Sequence, residues 1–309
     1  MSTPPVPTRI VLPAIIVLVF AGSYVARQPI DRAESGAPRD LGGARRIVSM
    51  APSVTETLYA LGLGDRVVGV SRFCSYPPEV SQKPRIGGYY DPNFEAIVAL
   101  RPDLVVMLEG HRQYQEAFDK LGLPTLTVRH TSIEGILESI TSIGDACGAE
   151  ERGRAIVEDI EARLARIDCK TAGRARPRVL FAIDRTLGTG GIEDVYVAGR
   201  DGHISRIIEL AGGHNALDEG AARFPVVSSE GILNMDPEVI VDLVPGLSVT
   251  KMDPETVRAD WDQLARVEAV RTGRVYVIDD DYAYVPGPRF ILLVEKLARL
   301  IHPETDWSE

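Results

Sequence analysis

Two glutamates occupy equivalent places in a motif that occurs twice. Asn93-Phe94-Glu95-Ala96-Ile97 runs through Pro102 into Leu104-Val105-Val106, and Ser228-Ser229-Glu230-Gly231-Ile232 runs through Pro237 into Val239-Ile240-Val241. In each copy isoleucine follows the glutamate by two residues and proline by seven, and the copies lie 135 residues apart. A carboxylate in the first turn of a helix gains about 0.3–1 kcal/mol from the helix dipole, so either glutamate alone reads as an end-of-helix residue. A matched pair, one in each half of the chain, displays two anions on one face of the molecule. That arrangement suits docking onto basic sockets of a larger partner.

Catalytic chemistry finds little support. There is no Gly-x-Ser-x-Gly elbow to present a nucleophile. Gly188-Thr189-Gly190-Gly191 lacks the Lys-Ser/Thr ending of a phosphate loop and reads as a plain turn. His111, His130, His203, His214 and His302 show no metal-ligand spacing and read as surface or capping residues, His111 beside Gly110 fitting least well. Asp279-Asp280-Asp281 could take a cation but reads as a solvated loop. The chain is expected to bind rather than catalyse, with no metal or cofactor of its own.

Binding chemistry is better represented. In open α/β sheets ligands sit beyond the carboxyl ends of the strands. Four loops expected there carry aromatic residues: Phe73 with Tyr76, Tyr89 with Tyr90, Phe224, and Tyr282 with Tyr284. Two loops come from each half. Rings of this kind either plug the bases of loops or offer rigid contact area to a flat, bulky ligand; as a set they are read as ligand-lining.

Strands must alternate with helices to place these loops. Arg46 to Met50, Val67 to Val70, Leu104 to Leu108, Thr125 to Val128, Arg178 to Ile183, Val239 to Val241 and Val275 to Ile278 are the expected strands. Ser53 and Glu56 have capping-box spacing ahead of a helix that stops at Gly62. Asn93 is expected to cap the helix carrying Glu95, and Pro288 to open the final helix. Between the two sets of strands, Ile156, Ile160, Leu164 and Ile167 form one stripe of an uninterrupted helix. The fold class is therefore α/β, two lobes with mainly parallel sheets joined by one long backbone helix. Expected boundaries are 45–147 and 177–303 for the lobes and 148–170 for the helix.

Length and composition agree with this division. A chain of 309 residues with 45% hydrophobic and 25% charged residues can bury a core in each lobe. A net charge of -10 argues against a nucleic-acid partner, which needs a basic face. Cys74, Cys147 and Cys169 allow one disulfide and one free thiol, with the pairing open. Arg9 precedes an apolar run from Ile10 to Ala21, so residues 1–26 are expected to be a signal peptide or an uncleaved anchor, and 27–44 a flexible spacer. No cysteine lies near the run to accept a lipid.

From about Arg45 to Pro303 the chain resembles the periplasmic binding proteins that feed ABC importers of cobalamin, haem and ferric siderophores. The cobalamin-binding kind is the nearest match. The resemblance is carried by Arg46-Ile47-Val48-Ser49-Met50-Ala51-Pro52-Ser53-Val54-Thr55-Glu56, by Val68-Gly69-Val70-Ser71 with Tyr76-Pro77-Pro78, and by Asn93 to Val105. It continues through Gly212-Gly213-His214-Asn215, Val227-Ser228-Ser229-Glu230 and Gly287-Pro288-Arg289.

The resemblance implies a monomeric, exported protein with its ligand between the lobes and little hinge closure. It implies that Glu95 and Glu230 contact arginines of the permease. It places Ser53, Phe73, Tyr89, Tyr90, Phe224, Asp281 and Tyr282 at the ligand. Three tryptophans of the cobalamin pattern are Tyr89, Phe224 and Tyr282 here, and a basic residue of the last loop falls at Val285. A corrinoid, a haem and a ferric siderophore therefore all remain open, and a tyrosine near Tyr89, one residue out of register with the family pattern, would suit haem iron. Two further readings compete. A transferase on a nucleotide-linked substrate needs a phosphate loop and a cytoplasmic donor, and a membrane-tethered sensory domain needs an uncleaved leader.

Overall fold

A computed structural model describes residues 43–200, 202–217, 223–247 and 252–308. The expected leader and most of the expected spacer lie outside the described residues. Ala44 is already buried, and the backbone N–H groups of Arg45 and Arg46 donate to the Asp103 carboxylate at 2.9 Å each. The fold thus includes residues slightly before the expected boundary.

The first half contains β1 (Ile47–Ser49), α1 (Pro52–Ala60), β2 (Val67–Val70), α2 (Phe94–Ala99), β3 (Leu104–Leu108), α3 (Gln115–Lys120), β4 (Thr125–Val128) and α4 (Ile133–Cys147). The strands form an all-parallel sheet in the order β2-β1-β3-β4. Leu104, Val105, Val106 and Met107 are all fully buried, as a parallel strand with both faces covered requires.

α5 (Glu150–Thr171) follows, 22 residues and so about 33 Å long. Ile160 and Ile167 bury its inner stripe. Arg163 donates to both carboxylate oxygens of Glu295, at 2.8 and 2.7 Å, tying this helix to the last one.

The second half contains β5 (Arg178–Arg185), β6 (Asp194–Val197), α6 (His203–Leu210), β7 (His214–Asn215), β8 (Val226–Ser228), α7 (Ser229–Met235) and β9 (Val239–Leu243). It ends with α8 (Pro254–Ala259), α9 (Glu268–Arg271), β10 (Val275–Ile278) and α10 (Phe290–Ile301). The sheet order is β10-β9-β5-β6-β8, with β7 also on β5. β10, β9, β5 and β7 are parallel, whereas β6 and β8 run antiparallel at one edge. Both sheets belong to one compact unit.

Four local expectations are corrected. Ser53 does not cap α1: Ala51 holds the cap position without a side-chain bond, because Pro52 fits the first helical place and draws the start forward. The last helix begins at Phe290, with Pro288 in the turn before it. His130, His203 and His302 are buried rather than on the surface; His111 is buried too but caps a turn, accepting from the Leu108 amide at 3.1 Å, and His214 is exposed. All three cysteines are free thiols, Cys74 and Cys147 buried and Cys169 exposed on α5.

Candidate functional site

The two sheets meet at their carboxyl edges. Residues 281–289 leave the carboxyl end of β10, and α1 leaves that of β1; Arg289 joins them. It donates to Glu56 at 2.9 and 2.6 Å and to Asp281 at 2.7 and 3.0 Å. Its guanidinium also stacks 3.6 Å from the centre of the Tyr76 ring. The Glu56 side chain is only 3% exposed. Burial lifts its carboxyl above the usual range against the pull of Arg289, while Glu56 and Asp281 together more than offset the burial of Arg289 and hold it charged. Gly287 lets the second half approach this closely, since a Cβ there would lie 3.0 Å from Glu56 Oε2 and 3.5 Å from Ser53.

A second contact crosses between the halves near α4. Arg223 donates to the Thr131 carbonyl at 3.0 Å, just beyond the carboxyl end of β4. Close by, His130 and His203, one from each half, are buried, and charge on His203 opposes protonation of His130. His130 Nε2 lies 2.6 Å from Ser139 Oγ, and burial depresses both imidazoles to about 3. Two polar contacts therefore hold the facing edges together.

Aromatic residues lie near both contacts, on loops that follow β2 and β10 and on the segment that enters β8. The turn bearing Phe73 is held by Arg85, which donates to the carbonyls of Ser71 at 3.2 Å and Cys74 at 2.7 Å. Arg72 pairs with Asp91 and so ties this turn to the loop of Tyr89 and Tyr90. Tyr89 packs edge-on to Tyr90, with ring centres 4.8 Å apart, and lies over buried His111 at 4.1 Å. Its hydroxyl comes so close to Gly110 that no Cβ would fit there. Burial pushes that hydroxyl up to about 12, and the nearby Arg223 cation opposes the shift. From the other half come Phe224 and Tyr282, both partly buried against the core. Burial, then a hydrogen bond to Asp280, raises the Tyr282 hydroxyl.

The remaining sequence candidates divide. Ser53 is 2% exposed and packed against Gly287. Asp281 is engaged by Arg289 but keeps a partly exposed carboxylate. The expected solvated run of aspartates is instead tied down: Asp279 accepts from the Leu247 amide at 3.0 Å, Asp280 pairs with Lys296, and Asp281 with Arg289. The amides of Gly188 and Gly190 both donate to the buried Asp260 carboxylate at 2.8 Å, so these two are already engaged and not offered to a phosphate. Among the described residues no His, Cys, Asp or Glu cluster could hold a metal ion.

Glu95 and Glu230 are exposed in the first turns of α2 and α7. Asn93 Oδ1 accepts from the Ala96 amide at 3.0 Å and Ser228 Oγ from the Gly231 amide at 3.3 Å. Arg289, Glu56, Arg223, His130 and His203 were not singled out from sequence as site residues. Their meetings span the chain, and no local spacing announces them.

A groove of about 750 Å³ runs between α1 and residues 76–83, with Glu56 and Arg289 at one end. None of Phe73, Tyr89, Tyr90, Phe224 or Tyr282 lines it, whereas Tyr76, from the loop of Phe73, does.

Residues 47–282 match the periplasmic binding protein family. The chain belongs to that family. An uncharacterized ABC transporter substrate-binding lipoprotein of Bacillus subtilis is 32% identical over 270 residues, covering 84% of this chain and 81% of its own. A cobalamin-binding protein of Halobacterium salinarum is also 32% identical over 270 residues, with 84% and 70% covered. Among solved structures, a periplasmic heme-binding protein from Roseiflexus aligns with a TM-score of 0.71 and 29% identity over 84% of this chain and 99% of that one. Members of the family are binding proteins rather than enzymes, and this periplasmic binding protein is a substrate-binding protein. No helix of the described residues is long and apolar enough to cross a membrane.

Proposed function

We propose that this chain captures a corrinoid between its two sheets outside the cytoplasm and delivers it, as a monomer, to an ABC importer. Phe73, Tyr89 and Tyr90 line one wall, and Phe224, Asp281 and Tyr282 the other. The observation that carries this reading is the contact of the two halves through Arg289 and Arg223, with aromatic residues of both halves beside these bridges. A flat, bulky chelate matches walls of this kind, with specificity supplied by shape and a few polar groups. Glu95 and Glu230 dock the loaded protein on the permease. The cobalamin-binding relative from Halobacterium supports the choice of ligand.

A haem is the second reading, favoured by one observation. Tyr89 has both a neighbouring cation, Arg223, and a buried imidazole behind it. Arg223 would favour a phenolate on iron there, against the burial that raises the hydroxyl to about 12.

Titration of the purified protein with cyanocobalamin and, separately, with haemin tests both. Cobalamin is expected to quench the intrinsic fluorescence with a Kd of about 1 μM or tighter, equivalent to about -8 kcal/mol. Phe224→Ala should weaken it about tenfold or more by removing a ring from one wall. Tyr89→Phe should leave cobalamin binding nearly intact but change the visible spectrum of bound haemin. Should cyanocobalamin, haemin and a ferric siderophore all leave the fluorescence unchanged, the reading fails.

A further inference from the structure

The internal repeat extends to residues that neither the fold nor the glutamates explain. Three positions after Glu95 stands Val98, and three after Glu230 stands Leu233. Val98 is 42% exposed and Leu233 38% exposed, among the few large apolar side chains left so open. Residues three apart share a helix face, so each branched aliphatic lies one turn from its carboxylate. The inward residues of the same helices, Ile97 and Ile232, are 0% exposed, so both helices are held with the same side out.

One exposed valine or leucine requires no explanation. Two at matched register in the two halves, each beside a matched glutamate, repeat as a unit. Exposure near 40% also means that neither contributes much to the core, so folding does not account for their being apolar. Binding does. An ion pair left in water is weak and easily screened, whereas apolar contact beside it excludes water and strengthens it.

We propose that each docking point is a carboxylate–aliphatic pair, Glu95 with Val98 and Glu230 with Leu233. Each pair seats in a permease socket where a basic side chain adjoins apolar surface. This rests on the docking reading above and adds to it the chemistry of the socket. The carboxylate steers and orients, and the aliphatic group holds.

The test measures binding of cyanocobalamin-loaded protein to the ABC importer of the same organism, reconstituted in nanodiscs, at about 50 and 300 mM salt. Val98→Ser/Leu233→Ser is expected to weaken binding about tenfold at low salt, with a larger loss at high salt, because the ion pairs become wet. Val98→Thr nearly keeps the shape of valine and should reproduce part of the loss without disturbing the fold. Leu121→Ser, at a residue 45% exposed outside the motif, should leave binding unchanged. If Glu95→Gln/Glu230→Gln abolishes binding while Val98→Ser/Leu233→Ser stays within about twofold of wild type, the aliphatic role is overturned and the docking reading stands. If neither double variant changes binding, both fall.

Discussion

Arg289 bonds to both halves of the molecule at once. Its partner Glu56 is almost fully buried, and removing one member of such a pair leaves the other charged and unpaired at a cost of about 3–5 kcal/mol. The two ends of the bridge are not equivalent. Arg289 retains Asp281 when Glu56 is neutralised, whereas among the described residues Glu56 pairs with no second cation when Arg289 is lost. Arg289→Met should therefore destabilise the protein clearly more than Glu56→Gln in urea denaturation. Combining Arg289→Met with Glu56→Leu should recover more than half of the single-variant loss, because no charge is then left buried. Equal losses for the two single variants, or strictly additive losses for Arg289→Met and Glu56→Leu, would refute this account. Sequence reading reached both segments but not the pair. Glu56 stood at capping-box distance from Ser53, a sufficient local explanation, and its true partner lies 233 residues away. Local spacing carries helix ends well. It does not carry ion pairs made by tertiary contact.

At the scale of elements, the repeat is a structural unit and not merely a resemblance of letters. Phe94 and Ser229 start its helices, Leu104 and Val239 start its strands, and one offset relates them. Arg101 and Asp236, the residues before the two prolines, both have left-handed backbones, with φ of 47° and 45°. Each stops its helix where the following proline disfavours the right-handed conformation. The caps at the other end are matched as well. Asn93→Ala and Ser228→Ala should each cost about 1 kcal/mol, and Asn93→Asp much less, since an aspartate oxygen can still accept from the Ala96 amide. A loss from Asn93→Asp as large as that from Asn93→Ala would show that the Asn93 side chain is needed for something other than capping. Such helices, and the parallel strands with their unbroken apolar runs, were legible in the sequence. β6 and β8 were not. Asp194-Val195-Tyr196-Val197 alternates exposed and buried residues over only four positions, the weaker signal of an edge strand.

The whole molecule stores a dependence on acid in its buried histidines. His130 and His203 lie together between the halves, and His111 lies under Tyr89. Burial depresses the first two to about 3 and His111 to about 4. His130 faces His203, and His203 faces Arg223, so any proton taken up there meets a second positive group. In the unfolded chain all three titrate near 6.5, so below that pH the unfolded state binds protons that the folded state refuses. Their contribution to stability is complete above pH 6.5 and is lost progressively as the pH falls toward 3–4. The slope is about 1.4 kcal/mol per pH unit for each histidine, or about 2 kcal/mol each by pH 5. Urea denaturation at pH 7.5, 6 and 5 should therefore show a fall of several kcal/mol. His130→Gln, which can still reach Ser139, should reduce the slope by about one third. A stability that stays flat from pH 7.5 to 5 would mean that these imidazoles become protonated without unfolding, and hence that the contact between the halves admits water.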